Sequence, residues 1–205
     1  IQYNYMDTQE QAGDKGYALA ESLGVPLVIM EPIKGGSLAN FSEDINDRFH
    51  KMDPDRSVAS YALRWVGSHP NVKVILSGMS TMEQVEDNLK TFQDFSPLSE
   101  AEEKEIESIV TELRSRVQNG CTGCRYCMPC PAGVNIPGNF KVWNNYHMYR
   151  TYDHVKWSWE KELKEEEKAK NCIKCGKCET LCPQKLSIRD NLVQVQKDLD
   201  ERIFK

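Results

Sequence analysis

The sequence predicts an α/β region followed by an all-α, cysteine-rich region, and three observations lead to this division. The order of elements over residues 1–30 is strand, helix, strand, which is typical of a parallel unit. All eight cysteines lie in residues 121–182, and the rest of the chain contains none. Residues 131–171, between the two cysteine runs, contain no strand-like run, so the second region is predicted to be helical. We therefore predict two domains, at residues 1–118 and 119–205.

The first elements follow from residue patterns taken in order. Residues 1–6 alternate apolar and polar side chains, which predicts a strand. Apolar residues at helical spacing over residues 11–23 predict a helix, and Gly24 is placed to end it. The continuous apolar run Val25–Met30 predicts a fully buried strand.

Three more helices and a third strand complete this region. Asp53-Pro54 is predicted to cap and start a helix. Val72–Ser77 predicts a strand, and a helix follows from Thr81. Ser99-Glu100-Ala101-Glu102 is a capping box that opens an amphipathic helix. The side chains predicted to face inward on the first and last of these helices are Val58, Tyr61, Ala62 and Trp65, and Ile106, Ile109, Val110 and Leu113.

Two loops of the first region offer places for a ligand. Gly35 and Gly36 permit close approach of the backbone to a ligand, although an ordinary turn would use the same pair. The turn Gly78-Met79-Ser80 leads into a helix N-terminus, which is a ready anion site. Any turn from a strand to a helix looks similar, so both interpretations stay open at this point.

Two cysteine runs dominate the second region. Residues 172–183 follow C-x2-C-x2-C-x3-C-P, the pattern of bacterial ferredoxins, and residues 121–131 follow the same pattern with one residue fewer before the last cysteine. Two such runs predict two 4Fe-4S clusters. In the ferredoxin pattern the fourth cysteine serves the other cluster, so we expect crossed ligand sets. These sets are Cys121, Cys124, Cys127 and Cys182 for one cluster, and Cys172, Cys175, Cys178 and Cys130 for the other.

Zinc and disulfides are the alternatives for these cysteines. A four-cysteine zinc site usually has two C-x2-C pairs separated by a spacer, whereas each run here has four cysteines and a closing proline. Disulfides are typical of small secreted domains, but cysteines at i, i+3 and i+6 are too crowded for a regular pattern of bridges. We therefore expect iron-sulfur clusters and a reducing, cytoplasmic location.

The remaining segments of the second region read as helices. Phe140, Trp143 and Tyr146 or His147 follow at helical spacing, and such an aromatic stripe is more often core than a cofactor-binding surface. Residues 153–170 are dense in charge, with Glu165-Glu166-Glu167 predicted to be a solvated helix face. Ser187-Ile188-Arg189-Asp190 is predicted to cap a final helix. Its apolar side chains are Leu192, Val195 and Leu199.

Composition excludes several classes of function. The formal net charge is -5, so nothing suggests binding to nucleic acid or to an anionic membrane surface. The longest apolar run, Val25–Met30, is far too short to span a bilayer. We expect a protein with neither nucleic acid nor a membrane as its partner.

Four ordered segments of residues 1–118 carry a family pattern. They are Gln2-Tyr3-Asn4-Tyr5, Met30–Leu38, Ala62-Leu63-Arg64-Trp65, and Ile75–Ser80 with Glu83-Gln84 and Glu86-Asp87-Asn88. Together they resemble the C-terminal part of an aldo/keto reductase barrel, and the cysteine runs are similar to the iron-sulfur subgroup of that family. This resemblance covers essentially the whole chain. It implies a partial TIM-type (β/α) barrel, its last three strand-helix units, followed by an all-α ferredoxin-like iron-sulfur domain.

The resemblance also implies cofactors and partners. It implies a reductase that binds a nicotinamide cofactor, usually NADPH with NADH as the alternative, and exchanges hydride with a carbonyl or alcohol substrate. Its clusters would exchange electrons with the nicotinamide or with a redox partner of the ferredoxin or flavodoxin type. Carried over by position, the pyrophosphate would lie along Gly35, Gly36, Ser37 and Leu38, and the adenosine end near Gly78, Ser80, Gln84 and Asn88.

The family places its catalytic Asp, Tyr, Lys and His on strands one to four, and a complete barrel needs about 250 residues. None of His50, His69, His147 and His154 occupies the position of the family's histidine. We therefore expect an N-terminally truncated sequence that holds no catalytic residue, with a full-length parent that is the reductase. An electron-transfer module without carbonyl chemistry and a purely structural role for the clusters are the other two hypotheses.

Overall fold

The computed structural model describes residues 1–203. The side chains at positions 153, 154 and 201–203 lie outside this description, so it covers the predicted second domain only to residue 203 and says nothing of the His154 side chain. The chain divides into two compact units, Ile1–Glu112 and Leu113–Lys205. No described helix combines the length and the apolar character that crossing a membrane requires.

The first unit contains a small parallel sheet and five helices. In chain order its elements are α1 (Gly13–Ser22), β1 (Leu27–Ile29), α2 (Glu43–Met52), α3 (Val58–Gly67), β2 (Val72–Ile75), α4 (Met82–Gln93) and α5 (Glu100–Ser115). Strands β1 and β2 pair in parallel, with Leu27 opposite Val72 and Ile29 opposite Ile75. A short 3-10 turn at Lys34–Gly36 follows β1.

The predicted first strand is present only as a single bridge. Gln2 forms an isolated parallel bridge with Met30, and the backbone N–H of Tyr3 donates to the carbonyl of Met30 at 3.2 Å. The chain beyond it turns early because Asn4 Oδ1 accepts from the backbone N–H groups of Met6 and Asp7. This local side-chain bonding competes with a strand ladder and ends the pairing.

Strand β1 is buried on one face rather than on both. Leu27 and Ile29 point into an aromatic core with Tyr3 and Tyr17, whose rings stack at 5.8 Å. Val28 is 45% exposed and Met30 is 50% exposed. The prediction of a fully buried strand was therefore wrong, because a continuous apolar run carries no information on whether a second layer covers both faces.

The helix predicted from Asp53-Pro54 begins four residues later. Ser57 is its N-cap, and the Ser57 hydroxyl accepts from the backbone N–H of Ser60 at 3.0 Å. Asp53 instead accepts from the N–H of Asp55 in a turn that follows α2. Helix α2 itself was not predicted. The capping box at Ser99 and Glu102 is present at the start of α5.

Two arginines tie α5 to the preceding helices. Arg64 on α3 is 3% exposed; it donates to Glu102 at 2.6 Å and also bonds the backbone carbonyls of Ser96 and Pro97. Arg48 on α2 donates to Glu105 at 2.7 Å. Because the Arg64 guanidinium is removed from water, its bonds must be satisfied within the protein, and here they are.

The second unit is helical throughout its described part, residues 113–203. Its helices are α6 (Ile136–Tyr149), α7 (Tyr152–Trp157), α8 (Lys177–Leu181) and α9 (Ile188–Val195), with short 3-10 or π segments at Ser158–Glu162, Glu165–Glu167, Ala169–Asn171 and Gln196–Ile203. Phe140 and Trp143 lie in the buried core, as the predicted aromatic stripe required, together with Leu192, Val195 and Leu199 of the final helix. Ser187 precedes that helix, but its side chain makes no capping hydrogen bond.

Candidate metal centre and nucleotide cavity

The two cysteine loops share one backbone conformation. Gly123 and Arg125 flank Cys124 with φ values of 68° and 65°. Lys174 and Gly176 flank Cys175 at the same two positions, with φ values of 55° and 78°. Left-handed residues of this kind help to turn backbone N–H groups into one concavity, which favours an anionic group inside the loop. An arginine and a lysine adopt a conformation that normally favours glycine, so the same loop shape is imposed twice.

The correspondence continues beyond each fourth cysteine. The N–H of Gly133 donates to the carbonyl of Cys130 at 3.0 Å, and the N–H of Lys185 donates to that of Cys182 at 3.1 Å. In each half a tight turn then leads into a helix, α6 after Cys130 and α9 after Cys182. Sequence reasoning identified the two cysteine runs but missed this repeat. The signal was present as Val134-Asn135-Ile136 against Leu186-Ser187-Ile188.

Each of two cavities is lined by cysteines from both runs. One is lined by Cys121, Cys124, Cys127 and Cys182, and the other by Cys130, Cys172, Cys175 and Cys178. Ile136 at the start of α6 lines both cavities, and Phe140 and Leu192 take equivalent places in the first and the second. These are the same groups as the crossed ligand sets. That the eight thiolates bind iron stays a prediction.

Gln184 contacts the first cavity from its rim. The sulfur atoms of Cys124 and Cys182 both donate to Oε1 of Gln184 at 3.9 Å. As a metal ligand each sulfur would be a thiolate that only accepts, so the amide would present its N–H₂ group instead. The equivalent residue in the other half is Ala132, which has no polar side chain, so the two centres have different surroundings.

Burial and backbone donors act against each other on these thiols. Burial raises the pKa of Cys121, while the N–H of Gly123 lowers it by donating to the sulfur. Burial also raises the pKa of Cys127, and it raises that of Cys178 to about 11 with a contribution from Glu179. These thiols are protonated at neutral pH without metal, so metal binding must release their protons.

The donor set fits a cubane cluster. Among the described residues, no three His, Cys, Asp or Glu side chains come together tightly enough to hold a single metal ion. A cubane keeps four thiolates apart around a core of iron and sulfide, which suits four cysteines spread around a cavity. The backbone N–H groups that face the sulfurs are the kind of donor that raises the potential of such clusters.

The first unit contains a separate cavity of about 240 Å³ at the end of the sheet. Five of the eight carried-over nucleotide residues line it: Gly35, Gly36, Gly78, Gln84 and Asn88. A side chain added at Gly36 or Gly78 would meet no atom within 4 Å, so both glycines face open space. The volume is below the range of about 300–1,000 Å³ that is common for ligand pockets, so the cavity holds part of a dinucleotide.

The other three predicted residues do not line this cavity. The side chains of Ser37 and Leu38 are buried in the protein, at 4% and 0% exposure. Ser80 donates its backbone N–H to Gln84 Oε1 at 2.7 Å, within the cap of α4. Asn88 donates to the Ser77 hydroxyl at 3.1 Å. The two amides are thus already engaged, which fixes their orientation at the cavity wall.

Among the described residues that line this cavity, Glu31 and Asp87 carry carboxylates, and none is a lysine or an arginine. Asp87 accepts from the Ser57 hydroxyl at 2.6 Å. The nearby Lys34 is bonded to Asp7. The cavity therefore presents backbone N–H groups and the N-terminus of α4 to an anion, but no formal positive charge.

Comparisons with known proteins divide the chain in the same order. Residues 1–111 match the model of the aldo/keto reductase family, and residues 120–186 match the model of the 4Fe-4S dicluster domain. A similar solved structure is the aldo-keto reductase AKR11C1 from Bacillus halodurans (holo form), at 22% identity and a TM-score of 0.40, over 52% of this chain and 40% of that chain. The chain thus spans less than half of the length of that relative. No curated protein matches the chain.

Proposed function

This chain belongs to the aldo/keto reductase family and carries a 4Fe-4S dicluster domain, and we propose that it is part of an oxidoreductase that couples two 4Fe-4S clusters to a nicotinamide dinucleotide. The partial barrel, the two cofactor types and the carbonyl chemistry of the whole protein all belong to this proposal. The resemblance noted in the sequence is confirmed by both family matches, and the oxidoreductase class follows from them.

The crossed cysteine cavities carry the proposal. Three cysteines of one run and the fourth of the other line each cavity, which is the arrangement that two cubanes in a ferredoxin-type domain require. Bound clusters would each accept and donate one electron at a time. The role of the chain is to hold the eight thiolates, to direct N–H groups at their sulfurs, and to shield them with the apolar side chains of α6 and α9.

The nucleotide cavity supports NADH over NADPH as the dinucleotide. A 2′-phosphate is usually paired with arginine, whereas a carboxylate suits the free 2′-hydroxyl. Glu31 and Asp87 are carboxylates at the cavity, and no described lining residue is cationic. We therefore favour NAD(H), which differs from the NADPH that the resemblance commonly implies.

The electron count supports one redox system. Oxidation of NADH to NAD⁺ and a proton releases two electrons, and two one-electron clusters together can take both. A redox partner of the ferredoxin or flavodoxin type would then exchange single electrons with the clusters. Hydride exchange with a carbonyl or alcohol belongs to the whole protein and to the family's catalytic set, which no described residue matches.

Anaerobic reconstitution tests the cluster proposal. Iron and acid-labile sulfide should each reach about eight per chain, and reduction with dithionite should give the electron paramagnetic resonance signals of 4Fe-4S⁺ centres. The chain should also bind NADH more tightly than NADPH by calorimetry. Protein that takes up only zinc, without sulfide, would refute the cluster assignment.

A further inference from the structure

Two cysteines mark the points where the cluster cavities approach solvent. Cys124 and Cys175 are exposed, whereas the other six cysteines are half-buried. Each is the middle cysteine of its loop, between the two left-handed residues. Because electron transfer between proteins weakens steeply with distance, these two positions are where an outside carrier would come nearest to the clusters.

The residues next to the exposed cysteines form two matching triplets. The first is Cys124-Arg125-Tyr126 and the second is Ile173-Lys174-Cys175, so each cysteine adjoins a cation and then an apolar side chain. Tyr126 is 68% exposed and Ile173 is 66% exposed. Apolar side chains so open to water beside a charged residue are a recurring feature of protein interfaces.

More positive charge surrounds these triplets. Lys177 and Lys185 are exposed and lie in the same loops. No ion pair within residues 1–203 involves Arg125, Lys174, Lys177 or Lys185. We call the set Arg125, Tyr126, Ile173, Lys174, Lys177 and Lys185 the cluster rim.

Negative charge within the cysteine loops is already neutralised. Glu179, the one carboxylate between Cys172 and Lys185, is bonded to Arg189 at 2.8 Å. The cluster rim is therefore cationic on a chain whose formal net charge is -5. Loaded clusters with thiolate ligands are anionic, so the rim partly offsets them. Its exposed side chains nevertheless extend beyond the half-buried cysteines and act on whatever approaches from solvent.

We propose that the cluster rim is the docking surface for an acidic one-electron carrier protein. This inference rests on the proposed function, because it names the partner of the clusters. A small apolar centre at Tyr126 and Ile173 with cations around it suits a brief, small interface of the kind used by redox proteins. The cations would steer an acidic carrier toward Cys124 and Cys175 and raise the association rate.

The test is electron transfer from the reconstituted, dithionite-reduced chain to two carriers, an acidic plant-type ferredoxin and a basic c-type cytochrome. Stopped-flow spectroscopy gives the second-order rate constant for each carrier at about 10 mM and about 500 mM ionic strength. The variant is Arg125→Gln/Lys174→Gln, which keeps long, unbranched side chains at the left-handed positions. The matched control is Lys141→Gln/Lys161→Gln, which removes the same charge from two exposed residues that line neither cluster cavity.

We expect the rim variant to lose about tenfold in rate with the ferredoxin at low ionic strength, and to match the wild type at high ionic strength. With the cytochrome the same variant should react equally fast or faster, and the control should resemble the wild type throughout. Reduction potentials are measured for all three proteins. A loss that appears equally with both carriers and follows a change in potential would refute docking and assign the cations to charge balance.

A ferredoxin rate that does not depend on ionic strength, or an equal loss in the control, would also overturn the inference. These results leave the proposed function standing, because the clusters would still form and be reduced. If the chain takes up no iron and sulfide, the proposed function fails, and the docking inference fails with it.

Discussion

Cys124 and Cys182 belong to different cysteine runs, yet both sulfur atoms lie 3.9 Å from the side-chain oxygen of Gln184. Cys182 is thus a neighbour of the first run, although it closes the second run in sequence. The opposite exchange brings Cys130 to the cavity of Cys172, Cys175 and Cys178. The two halves of the domain are therefore tied to each other at both centres.

Single cysteine variants should divide into two spectroscopic classes. Cys130→Ala and Cys178→Ala should each lose the same cluster, because both residues line one cavity. Cys127→Ala and Cys182→Ala should each lose the other. Paramagnetic resonance spectra of the four reduced proteins, prepared identically, show which cluster remains. If Cys130→Ala leaves the same residual spectrum as Cys127→Ala, each run closes on itself.

Gln184→Leu should lower the reduction potential of one cluster. An amide that donates to thiolate sulfurs stabilises the more negative, reduced state, so its loss favours the oxidised state. For an exposed donor we expect about 20–40 mV, which corresponds to about 0.5–1 kcal/mol for one electron. Redox titration measures both clusters in the same sample. The second cluster, where Ala132 takes the equivalent position, is the internal control; equal shifts in both would contradict a local effect.

Gly78→Leu should block the nucleotide cavity without unfolding the protein. Gly78 has no positive φ and a side chain there would meet no atom within 4 Å, so the added group enters open space. We expect affinity for NADH to fall by at least about tenfold, or about 1.4 kcal/mol. The control is Gly120→Leu, at a glycine with the same two properties outside the cavity. Unchanged NADH binding in Gly78→Leu would place the dinucleotide elsewhere.

Acid should weaken the first unit through Glu102. Burial acts to raise the pKa of Glu102, but hydrogen bonds from Arg64 and Ser99 outweigh it and hold the pKa at about 2, against an ordinary value of 4.5. Because the folded-state pKa is lowered, this stabilisation is complete above pH 4.5 and is lost as the pH falls toward 2. At neutral pH, Glu102→Gln should cost about 2 kcal/mol of unfolding free energy, since Arg64 stays buried beside a neutral partner.

Urea unfolding at several pH values measures this effect as the difference between wild type and variant. The difference should shrink from pH 5 to pH 3, and subtraction cancels the acid sensitivity that the two proteins share. Glu103→Gln is the matched control, because Glu103 is an exposed neighbour on the same helix. A difference that stays constant with pH would show that Glu102 stabilises the fold by packing rather than by charge.

Much of the local structure could be predicted from the sequence because local chemistry decides it. Helix α5 begins with the predicted capping box, and β2 follows the predicted strand. Phe140 and Trp143 are in the core, as their helical spacing required. The N-cap of α3 was misplaced, because Asp53-Pro54 and Ser57 are both good starting signals and only the turn after α2 selects between them.

The sequence by itself determined the cysteine inventory, its ferredoxin-type spacing and the family, since these depend on residue identity and order alone. Tertiary structure decided which residues meet. It left Val28 and Met30 exposed, buried Ser37 and Leu38 away from the nucleotide cavity, and brought Gln184 to the sulfurs of Cys124 and Cys182. Side-chain periodicity states which way a residue points along its own element. What it points at depends on how distant segments pack, and no local pattern carries that information.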